Sequence, residues 1–261
     1  MVEGAPRGCF FAYFPRQGYK VNCGYLPSRE PILMTAEIVT GSTDTHLVPL
    51  GQGQDGVVNQ FIHKQVMAPF LSLQKAARKA GFDLQICSAF RSFDRQLLIW
   101  NGKASGMRPV MDPFGNPINL QDLNPWQKIQ AILRWSALPG ASRHHWGTDF
   151  DIYDAKVIPQ DYQIKLTPEE VQGDGLFAPM HHWLDRYLSS GVTEFYRPYK
   201  FDKGGIAPER WHLSYRPLAD QYAGLLNREL IATRLQTSNL MFLDVVLEHL
   251  DDILQRYIIV D

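Results

Sequence analysis

The stretch PGASRHHWGTDFDIY, residues 139–153, decides how this chain is read. Pro139 and Gly140 mark a turn. From Gly147 to Tyr153 the pattern alternates, with Phe150 and Ile152 on one face and Asp149, Asp151 and Tyr153 on the other. That period predicts a half-buried strand. His144 stands at the strand's mouth and Asp151 follows seven residues on, so both can point to one face.

Two further segments carry residues of the same chemistry. Trp211 to Tyr215 reads as a strand with His212 and Ser214 on one face, and Glu209 precedes that histidine by three residues. Leu84 and Ile86 alternate with polar neighbours and run into Ser88-Ala89-Phe90-Arg91-Ser92, where Ser92 can cap a helix over Phe93 to Trp100.

The remaining periodicity is mostly helical. Phe70, Leu73, Ala77 and Ala80 predict an amphipathic helix within 59–80, stopped by Gly81. Asn124-Pro125 opens a helix expected to reach Leu138, and Thr167-Pro168-Glu169-Glu170 is a capping box. A helix from Phe177 to Ser190 stops at Gly191. Leu243, Val246, Leu247, Leu250, Ile253, Leu254 and Tyr257 form one stripe, expected to be a single helix docked on the core. Helices and short strands without regular βαβ alternation predict an α+β fold. Residues 1–33 are rich in Gly, Pro and Arg and lack periodicity, so they are read as an irregular extension to one domain over 34–261.

Composition excludes several classes. Lys+Arg total 26 against 27 for Asp+Glu, a near-zero balance that argues against broad nucleic-acid binding. With 12% aromatic residues the chain can bury enough apolar surface to fold. No apolar run has the length of a membrane span, and the patch from Cys9 to Phe14 is too short for a secretory signal. A cytoplasmic location is therefore favoured over a periplasmic one. Three cysteines imply no disulfide framework; Cys9 and Cys23 are read as free thiols rather than a short-loop pair.

Two histidines and a carboxylate are a common ligand set for catalytic zinc, with the fourth position left to water. The metal lowers that water's pKa to about 7. A neighbouring glutamate can move the water's proton to a leaving amine, and a guanidinium can stabilise the tetrahedral oxyanion. All of these residue types occur in the three segments. Taken singly each has an ordinary explanation, and the His181-His182 pair lies in a helical pattern and is given no metal role.

Ser142-x-His144-x-x-Gly147-x-x-x-Asp151 followed by Glu209-x-Trp211-His212 resembles the paired motifs of the zinc D-Ala-D-Ala carboxypeptidase family, which includes VanY-type enzymes, dipeptidases, L,D-carboxypeptidases and peptidoglycan endopeptidases. Ser88-Ala-Phe-Arg91-Ser, with Gln96 following, resembles the family's upstream segment. The resemblance implies that His144, Asp151 and His212 bind Zn2+. It makes Glu209 the general base and acid and Arg91 the oxyanion stabiliser, with Ser142, Ser88, Gln96 and Trp211 at the substrate. It also implies the hedgehog-like fold, a small antiparallel sheet holding the zinc and flanked by helices. Against the family pattern, Asp149 replaces a small residue, Phe90 replaces tyrosine and His145 adjoins His144. The C-terminal helices form an extension. Asp149 can orient a ligand histidine or face solvent. The run Phe195-Tyr-Arg-Pro-Tyr199 with Phe201 can line the cleft or pack as a loop.

The expected function is removal of a terminal D-amino acid from a peptidoglycan stem peptide or muropeptide. An L,D-carboxypeptidase and an L-alanyl-D-glutamate endopeptidase share the metal site. The non-enzymatic alternative is a zinc-stabilised binding module, against which Glu209 and Arg91 argue.

Overall fold

The structure is a computed structural model that describes residues 34–50, 60–112 and 115–259. Its centre is a four-stranded antiparallel sheet built around β4 (Asp149–Asp154), the strand the alternation predicts, which is buried on both faces rather than half-buried. On one side of β4 lies β3 (Leu84–Ser88); on the other lie β6 (His212–Tyr215) and then β5 (Phe195–Tyr196). A separate two-stranded ribbon pairs β1 (Leu47–Pro49) with β2 (Phe61–His63). The fold is α+β, as expected.

Register creates the site. Asp151 pairs with His212 and Asp149 with Ser214, so two acidic side chains of β4 and two polar side chains of β6 share one face. Phe150 pairs with Leu213 on the opposite face, and both are buried in the main core. The β3–β4 register is interrupted between Ile86 and Ser88, which brings Ser88 opposite Asp151 and turns the chain toward Arg91. A bulge re-aims side chains in this way at the end of a strand.

The helices cover the apolar face. They are α1 (Ala36–Val39), α2 (Met67–Lys79), α3 (Phe93–Ala104), α4 (Pro125–Leu133), α5 (Pro168–Val171), α6 (Ala178–Ser189), α7 (Arg216–Leu225), α8 (Arg228–Gln236), α9 (Leu243–Glu248) and α10 (Leu250–Ile253). Ser92 caps α3 by accepting from the Arg95 N–H, and both sides of the Asn124–Gln127 capping box are made at α4. Phe70, Leu73 and Ala77 on α2 face the core, where Phe70 meets Phe150 edge to face. One apolar core runs from Ile38 through the sheet to Ile258, so the C-terminal helices share the core of the sheet.

Two helices differ from the periodicity. The one from Pro125 ends at Leu133 rather than Leu138, because the Arg134 carbonyl accepts from the Ala207 N–H and its side chain binds Asp202. Residues 136 and 137 are thereby freed to meet α3. The last stripe is not one helix: it breaks at His249, which stacks on Trp126, and ends as a π-helical turn over Leu254–Ile258. The apolar spacing survives that break, and Val246, Leu250, Ile253, Leu254 and Tyr257 are all buried. The irregular extension and the Cys9–Cys23 question lie outside the described residues. No helix among the described residues is long and apolar enough to cross a membrane.

Candidate active site

The chain reaches the site through a short 3-10 turn, Arg143–Trp146, closed by Gly147 at φ +66°. A side chain there would be strained by the left-handed backbone. A Cβ would also stand 2.8 Å from the His63 backbone nitrogen, whose N–H donates to the Gly147 carbonyl. The turn therefore closes tightly on β2 and delivers His144 and His145 beneath Arg91.

Those two histidines separate in role. His145 Nε2 accepts from the Gly140 N–H, so its Nδ1–H donates to the Arg91 carbonyl, and both nitrogens are used. His144 donates its Nδ1–H to the Ala89 carbonyl at 2.8 Å, which turns the Nε2 lone pair toward Asp151, 3.5 Å away. Burial lowers the pKa of His144 to about 4, so it stands neutral, the state a metal ligand needs. The Arg91 N–H donates to the His144 carbonyl, so the histidine pair grips the Arg91 backbone from both sides.

His212 is the second nitrogen donor. Its Nε2–H donates to Asp149 Oδ1 at 3.1 Å, and its Nδ1 faces Asp151 Oδ1 at 3.3 Å and Glu209 Oε2 at 3.6 Å. Burial opposes protonation of this ring, but Asp149 and Asp151 outweigh it and push its pKa up to about 9. Donor atoms of His144, Asp151 and His212 all lie within 4.8 Å of one another, and all three residues are buried. Asp151 Oδ1 and His212 Nδ1 are buried without a hydrogen-bond partner. A buried nitrogen and a buried carboxylate oxygen that face each other at 3.3 Å without a hydrogen bond, within a His-Asp-His set, fit a divalent cation with nitrogen and oxygen preference. A cation there replaces the proton that the carboxylates otherwise impose on His212.

Asp149 is fully buried and faces no solvent. Besides His212 it accepts from Arg143 Nε at 2.7 Å and from Thr148 Oγ1 at 2.7 Å. Burial acts to raise its pKa, but Arg143, His212 and Thr148 more than offset this and hold it well below the carboxylate range. Arg143 in turn donates to Tyr196 OH and Ser214 Oγ and lies over the Trp146 ring. This arrangement fixes the tautomer and plane of His212. The alternating pattern signalled Asp149 as a same-face neighbour of Asp151. Arg143 was missed because an arginine beside a histidine carries no local signal of burial.

Glu209 stands where the backbone turns into β6: its N–H donates to the Tyr199 carbonyl, and its own carbonyl accepts from the His212 N–H. Burial and then Asp151 push its carboxyl up to about 7, against the pull of His212 and Arg91. That is the range of a group able to take and return a proton near neutrality. Arg91 is held in a fork, with Nη1 donating to Gln96 Oε1 at 2.9 Å and Nη2 to Ser88 Oγ at 3.1 Å.

The structure thus brings Arg91, His144, Asp151, Glu209 and His212 together. It sets Ser88 and Gln96, expected at the substrate, against Arg91, and Gln96 is fully buried with its amide also donating to the Ala137 carbonyl. Ser142 is buried in the same turn. Trp211 is only 3% exposed and joins a second apolar cluster with Val171 and Phe177, stacked at 6.5 Å on Trp135. Of the aromatic run, Phe195 and Tyr199 are packed inside, while Phe201 is exposed. His181 is buried and its Nδ1 accepts from Arg197, away from the metal donors.

A family model described as VanY, D-alanyl-D-alanine carboxypeptidase, matches residues 59–218. An uncharacterised protein of Haemophilus influenzae (strain ATCC 51907 / DSM 11121 / KW20 / Rd) is 48% identical over 105 residues, covering 40% of this chain and 70% of that protein. Among solved structures, VanYB in complex with D-alanine-D-alanine is 20% identical, with a TM-score of 0.45, covering 82% of this chain and 93% of that one. The LdcB LD-carboxypeptidase is 19% identical, with a TM-score of 0.46, covering 70% and 79%.

Proposed function

The chain belongs to the VanY family of D-alanyl-D-alanine carboxypeptidases, and from that premise we propose that it is a zinc peptidase removing a terminal D-amino acid from peptidoglycan stem peptides. The observation that carries this reading is the convergence of Glu209 and Arg91 on the His144-Asp151-His212 set with its two orphaned donor atoms. A purely structural metal site has no use for a carboxyl tuned to about 7 or for a forked guanidinium beside it.

Zinc held by His144, Asp151 and His212 would supply Lewis acidity and lower the pKa of water at the site. The roles of the surrounding residues follow from their placement. Glu209 takes a proton from the attacking water at its carboxylate and returns it to the leaving amine. Arg91, immobilised by Ser88 and Gln96, directs its charge toward oxygen that becomes negative as the amide carbon turns tetrahedral. Asp149 keeps the His212 Nε2–H engaged so that Nδ1 stays available. Residues 34–261 act as one catalytic unit, with the C-terminal helices as part of its core.

The test is product analysis by mass spectrometry on tripeptide, tetrapeptide and pentapeptide stems, with chelated and zinc-reloaded protein. Loss of one D-alanine from the pentapeptide, abolished by chelation and restored by zinc, is the expected result. Zinc-loaded protein that cleaves none of the stems refutes the reading, and cleavage of the tetrapeptide alone reassigns it to an L,D-carboxypeptidase.

A further inference from the structure

Building on the peptidase reading, we propose that Lys103, flanked by Arg91 and Arg108, is the receptor for the free α-carboxylate of the leaving C-terminal residue. The placement comes from α3. Gln96 and Lys103 are seven residues apart, two turns, so they lie on one helix face. Gln96 accepts from Arg91 and donates to the Ala137 carbonyl at 2.7 Å, while Lys103 Nζ donates to the neighbouring Ser136 Oγ at 2.6 Å. The face of α3 that holds the Arg91 guanidinium is therefore the face that carries Lys103.

Arg108 folds back onto the same helix. Its N–H donates to the Gly102 carbonyl at 2.8 Å, and a Cβ on Gly102 would lie 3.0 Å from its Cδ and 3.2 Å from its Nε. Glycine inside a helix costs about 1 kcal/mol relative to alanine. Here it makes the room in which the Arg108 side chain lies across α3.

Lys103 and Arg108 thus lie within electrostatic reach of Arg91, and Lys103 within reach of Glu209. Among the described residues neither Lys103 nor Arg108 forms an ion pair with a carboxylate. Burial, with Arg91 and Arg108 adding to it and Glu209 opposing, lowers the Lys103 ammonium to about 8. An ammonium that is partly desolvated, crowded by two guanidiniums and bonded to a hydroxyl gains from a carboxylate brought in by substrate. In a carboxypeptidase substrate a carboxylate sits two bonds beyond the scissile nitrogen, next to the oxyanion. An endopeptidase substrate places a neutral amide there. Lys103 therefore selects for chain ends.

The test is equilibrium binding of N-acetyl-D-alanyl-D-alanine, as free acid and as C-terminal carboxamide, to metal-free wild type, Lys103→Gln and Lys103→Arg. One charge-assisted hydrogen bond corresponds to a roughly 10- to 100-fold preference for the acid. Wild type is expected to show that preference, Lys103→Gln to lose most of it and Lys103→Arg to keep most of it. In zinc-loaded protein the same Lys103→Gln change should appear chiefly as a higher KM for the free acid. A wild type that does not discriminate, or a Lys103→Gln variant that still prefers the acid tenfold, overturns the proposal. Because binding is read without turnover, that failure is distinct from failure of the peptidase reading, which shows as no cleavage by zinc-loaded wild type.

Discussion

Replacing Asp149 with asparagine strikes the two jobs this buried carboxylate performs at once. Arg143 and Asp149 are 4% and 0% exposed at the side chain and meet at 2.7 Å, so the substitution leaves a guanidinium buried without its counter-charge. Breaking one partner of such a pair costs about 3–5 kcal/mol. Asparagine keeps an acceptor, and Arg143 keeps Ser214 and Tyr196, which points to the low end, about 3 kcal/mol. At roughly 2–4 °C per kcal/mol for a chain this size, Tm falls by about 6–12 °C. Separately, His212 loses the charged partner of its Nε2–H, and the loss of such a partner weakens metal binding by about 10- to 100-fold.

Urea unfolding in chelator reads the first effect without the metal, and competition against a chromophoric chelator reads the second. Arg143→Met and the double variant complete a mutant cycle. Because the pair is in contact, the double variant should be less damaged than the sum of the singles by about 1.5 kcal/mol or more. Additivity within about 0.5 kcal/mol, together with unchanged zinc affinity in Asp149→Asn, would refute the assignment of Asp149.

Other substitutions probe other links. Glu209→Gln should retain zinc, measured by metal analysis, yet lose at least about 10²-fold in kcat, because proton transfer is removed while the ligands remain; metal lost with activity would make Glu209 a ligand. Gly147→Ala forces a β-carbon to within 2.8 Å of the His63 nitrogen at φ +66°, so a loss of about 3 kcal/mol in unfolding free energy and weaker zinc binding are expected. Acid should destabilise the protein through its buried neutral imidazoles. Burial lowers His46 to about 4 and His63 to about 3. The fold therefore prefers both rings neutral, and their stabilisation is complete above the unfolded-state pKa near 6.5 and drains away as pH falls toward 4. Between pH 7 and pH 5 each contributes a loss of about 2 kcal/mol, and His181, also lowered by burial, adds to it. Urea midpoints that do not move between these pH values would contradict this.

What could be read directly was local. The alternation over 149–153, the caps at Ser92 and Asn124, the capping box at Thr167 and the stop at Gly191 act within about four residues, and each appears in the structure. The shortened helix after Pro125 and the break at His249 were invisible because their causes lie far along the chain, at Ala207 and Asp202 in one case and at Trp126 in the other. The β1–β2 ribbon and two-residue β5 are too short to carry a period.

The sequence by itself determined which residue types were available, among them Arg91, His144, Glu209 and His212, and that Asp149 and Asp151 share a strand face. Only the tertiary structure decided what each one meets. His144 and His145 are adjacent and chemically identical. They differ because Gly140 occupies Nε2 of one, while Ala89 takes the Nδ1 proton of the other and leaves its Nε2 facing Asp151. Asp149 and Asp151 share a face, yet one is spent on Arg143 and the other keeps an orphaned oxygen. A histidine's free lone pair and a carboxylate's unused oxygen are set by partners 50 to 70 residues away, through the register of β4 on β6, and no local pattern encodes that register.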